Sequence, residues 1–117
     1  MSQEESRTDL GLIRIHKNAI ASVASLAALE IDGVKKISGG FAGSFLGLLG
    51  KINSSAIRVD INKNEEVKID IPLSIKYGFN IPDIASRVQE NVRQALEKMT
   101  SLSIKEININ VQGIERN

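Results

Sequence analysis

The stretch Tyr77–Ile114, YGFNIPDIASRVQENVRQALEKMTSLSIKEININVQGI, decides the fold. Within it, Ile81, Ile84, Ala85, Val88, Val92, Ala95, Leu96 and Met99 recur at helical spacing and form a stripe roughly 120° wide. The opposite side carries Asp83, Arg87, Glu90, Gln94, Glu97 and Lys98. Asp83 with Arg87 and Arg93 with Glu97 are opposite charges four residues apart, which supports a helix. The pattern predicts that helix over 82–100. Asn80 is placed to cap it, Pro82 suits its first turn, and Asp83 meets the positive end of its dipole. Ile107, Ile109 and Val111 then alternate with Asn108, Asn110 and Gln112, the period of a strand with one dry face.

Upstream, two more segments alternate. Ile57, Val59 and Ile61 interleave with Arg58, Asp60 and Asn62. Val67, Ile69, Ile71, Leu73, Ile75 and Tyr77 interleave with Lys68, Asp70, Pro72, Ser74 and Lys76, so that Tyr77 is expected inward. NKNEE between them reads as a hairpin turn. Placing Ile61 opposite Val67 also sets Asp60 against Lys68 and Arg58 against Asp70, opposite-charge pairs worth about 0.2–1 kcal/mol each. Pro72 has no N–H to give a ladder, so pairing on one side is expected to break there.

Nearer the N-terminus, residues 1–9 are polar and aperiodic and read as a mobile tail, which leaves 10–117 as a single domain. GLIRIH at 11–16 alternates briefly and reads as a short first strand. A helix is expected over 17–31, with Ile20, Val23, Ala24, Ala27 and Ile31 on one face, Leu26 flanking it and Leu29 almost opposite. Asp32-Gly33 stops it, Gly33 suiting the left-handed terminal position. Val34–Ile37 is a short strand or an extended link. The segment GGFAGSFLGLLGK at 39–51 combines five glycines with Phe41, Phe45, Leu46, Leu48 and Leu49. That is too flexible for a long element and too apolar for a solvated loop, so a short helical turn near Ser44–Leu49 is expected. The fold class is α+β: two layers, a mostly antiparallel sheet with two main helices packed on one face.

Bulk properties narrow the function. At 117 residues the chain buries roughly two-thirds of its unfolded surface. Fifteen basic residues against fourteen acidic ones remove the main electrostatic reason to expect nucleic-acid binding. Cysteine is absent, so there is no disulfide, thiolate metal site or Cys nucleophile. MSQEESRTDLG lacks the basic start of a secretory signal. The longest nearly apolar run, Ala19–Leu29, spans eleven residues, short of the about 20 that cross a membrane. A cytoplasmic protein without direct membrane insertion is expected.

The search for chemistry is short. His16, the only histidine, reads as a half-exposed strand-end residue, because a lone His without Cys is a poor metal site. Asp60 and Asp70 read as exposed ion-pair members rather than an acid–base pair. The P-loop pattern fails, with Phe45 where the first Gly belongs and Ile52 after Lys51. Gly47–Gly50 is formally a GxxG, but Leu48-Leu49 do not suit a phosphate clamp. With three Phe and one Tyr in all, the wet sheet face has no rings for base stacking. The Gly-rich segment reads as a cover over the core edge, or else as a patch facing a partner or membrane.

Several stretches together resemble the bacterial alkaline-shock-protein family. They are GLIRI at 11–15, IASVASLAALEIDGV at 20–34, SGG at 38–40 with LLGK at 48–51, and above all 77–114. In that last stretch YG, IP, a helical VQ, the E-x-MT-x-L step and the terminal VxGI stand in order. Ser101 stands where the family often has Gly, which bears on the turn alone. The resemblance implies a non-enzymatic cytoplasmic protein of envelope stress response, held at the membrane through a membrane-anchored partner protein and prone to homo-oligomer assembly. It implies no catalytic residue, no metal and no cofactor. Alternatives are a regulator linked to fatty-acid metabolism and a weak nucleic-acid-binding module. The expected interaction surface is Phe41, Phe45, Leu46, Leu48 and Leu49, with Leu29 on the unused side of the first helix.

Overall fold

The longest alternation becomes the central strand. The computed structural model describes residues 2–37 and 56–116. Its elements run α1 Ser2–Leu29, β1 Val34–Ile37, β2 Arg58–Ile61, β3 Glu66–Lys76, α2 Ile81–Met99 and β4 Ser103–Glu115. Val67, Ile69, Ile71, Leu73 and Ile75 of β3 are wholly buried. Strand β3 pairs on both sides. On one side β2 runs antiparallel to it, with Ile61 opposite Val67, Asp60 opposite Lys68 and Arg58 opposite Asp70, the register expected from charge and alternation. On that same side β1 pairs antiparallel at Leu73–Ile75. Ile71 and Pro72 fall in the gap between the two partners, where the proline was expected to interrupt pairing.

On the other side β4 runs parallel to β3, because α2 carries the chain back across the sheet before β4 begins. Two of the three pairings are therefore antiparallel, within a two-layer α+β architecture. The β4 register skips Lys105 and Gln112, each a bulge. Each bulge resets the alternation. Ile104, Ile107, Ile109, Val111 and Ile114 thus share the inner face although their spacing in the sequence is irregular.

Both helices cover that face. Ile84, Val88, Val92 and Leu96 of α2 and Ile20, Ala21, Ala24, Ala27 and Ala28 of α1 join the β3 side chains in one core. Replacing a core residue such as Ile71 with Ala costs about 2–5 kcal/mol. The Asn80 side chain accepts from the Asp83 N–H at 3.0 Å, the expected cap on α2.

Three expectations change. The stretch 11–16 lies within α1, not in a strand. Alternation over so few residues does not separate strand from helix, and Gly11 costs a helix only about 1 kcal/mol. The buried face of α1 is rotated from the expected one and centres on Ala21, Ala24, Ser25 and Ala28. Leu29 lies on the flank of this face, half-buried against the core, whereas Leu26 is 52% exposed. Finally, β3 ends at Lys76, so Tyr77 falls in the following turn and is 63% exposed.

Candidate interaction site

Of the residues expected to form an interaction surface, Phe41, Phe45, Leu46, Leu48 and Leu49 lie outside the described residues. The described residues offer three surfaces, each set by local structure.

The first is the corner where β3 and β4 end. Gly78 takes φ +96° and turns the chain toward α2. The Tyr77 N–H donates to the Glu115 carbonyl at 2.8 Å. The Arg116 guanidinium sits over the Tyr77 ring, 4.5 Å from its centroid. Lys76, Tyr77, Phe79, Glu115 and Arg116 line a shallow depression of about 240 Å³, smaller than the roughly 300–1,000 Å³ of small-molecule sites. Two of its charges, on Glu115 and Arg116, are already engaged. The Ser74 hydroxyl holds the Glu115 carboxyl below its ordinary value of 4.5, with help from Lys36, whose Nζ lies 3.4 Å away.

The second surface is the open face of the sheet. Arg58, Asp60, Lys68 and Asp70 alternate in sign across β2 and β3. The Asn108 amide donates to Asp70 at 2.9 Å and to Glu106 at 3.3 Å. A face that neutralises itself this way provides no basic track for phosphates. At its end, Asn62 organises the β2–β3 turn. Its Oδ1 accepts from the Asn64 and Glu66 N–H groups, and its Nδ2 donates to Glu66 Oε1 at 2.8 Å. This bond, then Lys105 at 3.6 Å, holds the Glu66 carboxyl below its ordinary value of 4.5.

The third surface is the outer edge of β4. Two side chains of α2 reach over its first half. Gln89 Nε2 donates to the Ile107 carbonyl and Arg93 Nη1 to the Ile104 carbonyl, both at 2.8 Å. Arg93, expected to pair with Glu97, turns instead to this edge. Asn91, between them, donates to the Ala27 carbonyl at 2.7 Å and so satisfies a terminal carbonyl of α1. These three roles were not read from the sequence. Their one signal is that polar residues at 89, 91 and 93 flank the apolar stripe rather than oppose it. His16 is exposed on α1. Among the described residues, no group of three or more His, Cys, Asp or Glu could hold a metal, and no helix is long and apolar enough to cross a membrane.

The alkaline shock protein family model, described as having a cell envelope-related function, matches residues 5–116. The chain belongs to this family. Among relatives in the alkaline shock protein family, Bacillus subtilis (strain 168) YqhY is 39% identical over 116 residues, covering 98% of this chain and 85% of that protein. YloU from the same strain is 30% identical, covering 94% of this chain and 93% of its own length. A Streptococcus pyogenes protein named stress response regulator gls24 homolog is 26% identical over 90% of this chain, and this chain spans 59% of its length. Among solved structures, two variants of the MamM CTD superpose with TM-scores of 0.53 and 0.52. Each is 14% identical and covers 86% of this chain and 98% of its own, a likeness of fold.

Proposed function

We propose that this alkaline shock family protein is a non-enzymatic interaction protein of the cell envelope stress response. It acts through self-association and a membrane-anchored partner, from the cytoplasmic side. The observation that carries the reading is the family match across residues 5–116, with its cell envelope-related description. The stress response regulator name of the streptococcal relatives supports it. The open sheet face, with opposite charges alternating, suits a protein whose work is contact rather than phosphate binding.

In this reading Phe41, Phe45, Leu46, Leu48 and Leu49 supply the partner-facing side chains, together with the part of Leu29 that the core leaves uncovered. The test is Phe45→Asp combined with Leu48→Asp, followed by pull-down from membrane fractions and by light scattering. The expected result is a folded protein that no longer captures its membrane partner. A folded double variant that keeps both partner capture and assembly state overturns this surface. A wild-type protein that captures no membrane protein overturns the partner reading itself.

A further inference from the structure

Among the described residues, the edge of β4 is covered over its first half and bare over its second. The Ile107 carbonyl accepts from Gln89 and therefore points away from β3. Backbone groups of a strand alternate in direction, and the register from Ile107 to Val111 is unbroken. Ile109 and Val111 therefore also present their N–H and C=O groups outward. Among the described residues no group meets them on that side. The bare segment has two definite ends: the Gln89 clamp at Ile107 and the bulge at Gln112. Between them, Asn108–Gln112 carries no charge and no proline, the usual devices that blunt an edge.

We propose that this edge pairs with the same edge of a second copy of the chain, antiparallel, about a two-fold axis at Asn110. The proposal rests on the self-association reading above and gives it an address. Asn110 is the midpoint of the two outward-facing residues, so the axis is set by geometry. Ile109 then faces the partner copy's Val111 as a hydrogen-bonded pair, and the two-fold repeats it, for four main-chain bonds. On the inner face these β-branched side chains, half-buried in one copy, pack across the seam. On the open face Asn108 meets the partner's Gln112 and Asn110 meets its own counterpart, with no like charges opposed. A pairing this short buries less than a standard interface, so the dimer is weak and depends on concentration.

The chain has no cysteine, which permits a register-specific test in the full-length protein. Asn110 is exposed and sits at a non-hydrogen-bonded position across the axis, where opposed Cα atoms lie about 4.5 Å apart, within disulfide range. Asn110→Cys is expected to form a disulfide dimer on mild oxidation. Asn108→Cys is not, because its two copies stand roughly 13 Å apart along the strands. Mixed with Gln112→Cys, it is expected to give the heterodimer. Val111→Pro removes an outward N–H without touching the β3 ladder, and it is expected to abolish the Asn110→Cys crosslink. Equal crosslinking of Asn108→Cys and Asn110→Cys, or none by the latter, overturns the assignment. If the wild type self-associates in sedimentation while Asn110→Cys stays monomeric, the edge is wrong and self-association stands. A wild type monomeric at every concentration removes both. If Val111→Pro loses the membrane partner and Asn110→Cys never crosslinks, the edge takes a foreign strand, which also overturns pairing with a second copy.

Discussion

Gly33 and Gly78 both adopt positive φ, +108° and +96°, but their surroundings differ. A Cβ on Gly33 would lie 2.7 Å from Ile84 Cδ1 and 2.8 Å from Phe79 Cδ2. A Cβ on Gly78 would meet nothing within 4 Å. Gly78→Ala is therefore expected to cost only the backbone term, about 1–2 kcal/mol. Gly33→Ala is expected to add about 1–3 kcal/mol of overpacking, because α2 is seated against the glycine through Ile84. Chemical denaturation of the two variants side by side checks this, and equal losses would remove the packing argument. Ser25 makes a related point. Its hydroxyl is wholly enclosed without a hydrogen-bond partner among the described residues, so what the position supplies is small size on the buried face of α1.

At the scale of elements, α2 does more than fill the core. Its apolar stripe packs inward, while Gln89, Asn91 and Arg93 satisfy backbone carbonyls on two other elements. Asn91→Ala strips a donor from the Ala27 carbonyl and is expected to destabilise by about 1–3 kcal/mol. Hydrogen exchange should show the loss concentrated in the last turn of α1. A uniform acceleration across the sheet would argue that Asn91 acts through packing instead. The stripe on α2 was legible because one side of the helix faces the core throughout. Met99 is the exception at 42% exposed, since it sits at the last helical position, before Thr100 ends the helix. The buried face of α1 was harder to read. Beside Ile20, four alanines and a serine line the contact, and small residues carry little signal in a hydrophobic pattern.

For the whole molecule, acid sensitivity follows from Glu66 and Glu115. Hydrogen bonds to their carboxylates lower both below the ordinary value of 4.5 in the folded state. The unfolded chain binds protons first as pH falls, so the stability these groups contribute is present above 4.5 and is lost as pH drops through their folded values. Both are solvent-screened, so the effect is modest. Glu66→Gln and Glu115→Gln together are expected to flatten the acid limb of a plot of Tm against pH. An unchanged limb would place acid sensitivity elsewhere.

The sequence by itself determined what depends on neighbours along the chain. The strict alternation of β2 and β3 with their matched charges dictated the hairpin register, Asn80 and the apolar stripe dictated α2, and the ordered motifs of 77–114 indicated the family. Pro72 marked where one side of β3 changes partner. Tertiary structure alone decided the rest. Tyr77 left the core because β3 ends one residue earlier, and nothing in an alternating pattern says where the helix layer stops. Strand β4 needed two bulges to keep its isoleucines and Val111 on one face, and its parallel placement left an edge that α2 reaches only in part. Periodicity reports which face of an element is dry. Which edge stays open depends on contacts between residues far apart in the chain, and those exist only once the layers have met.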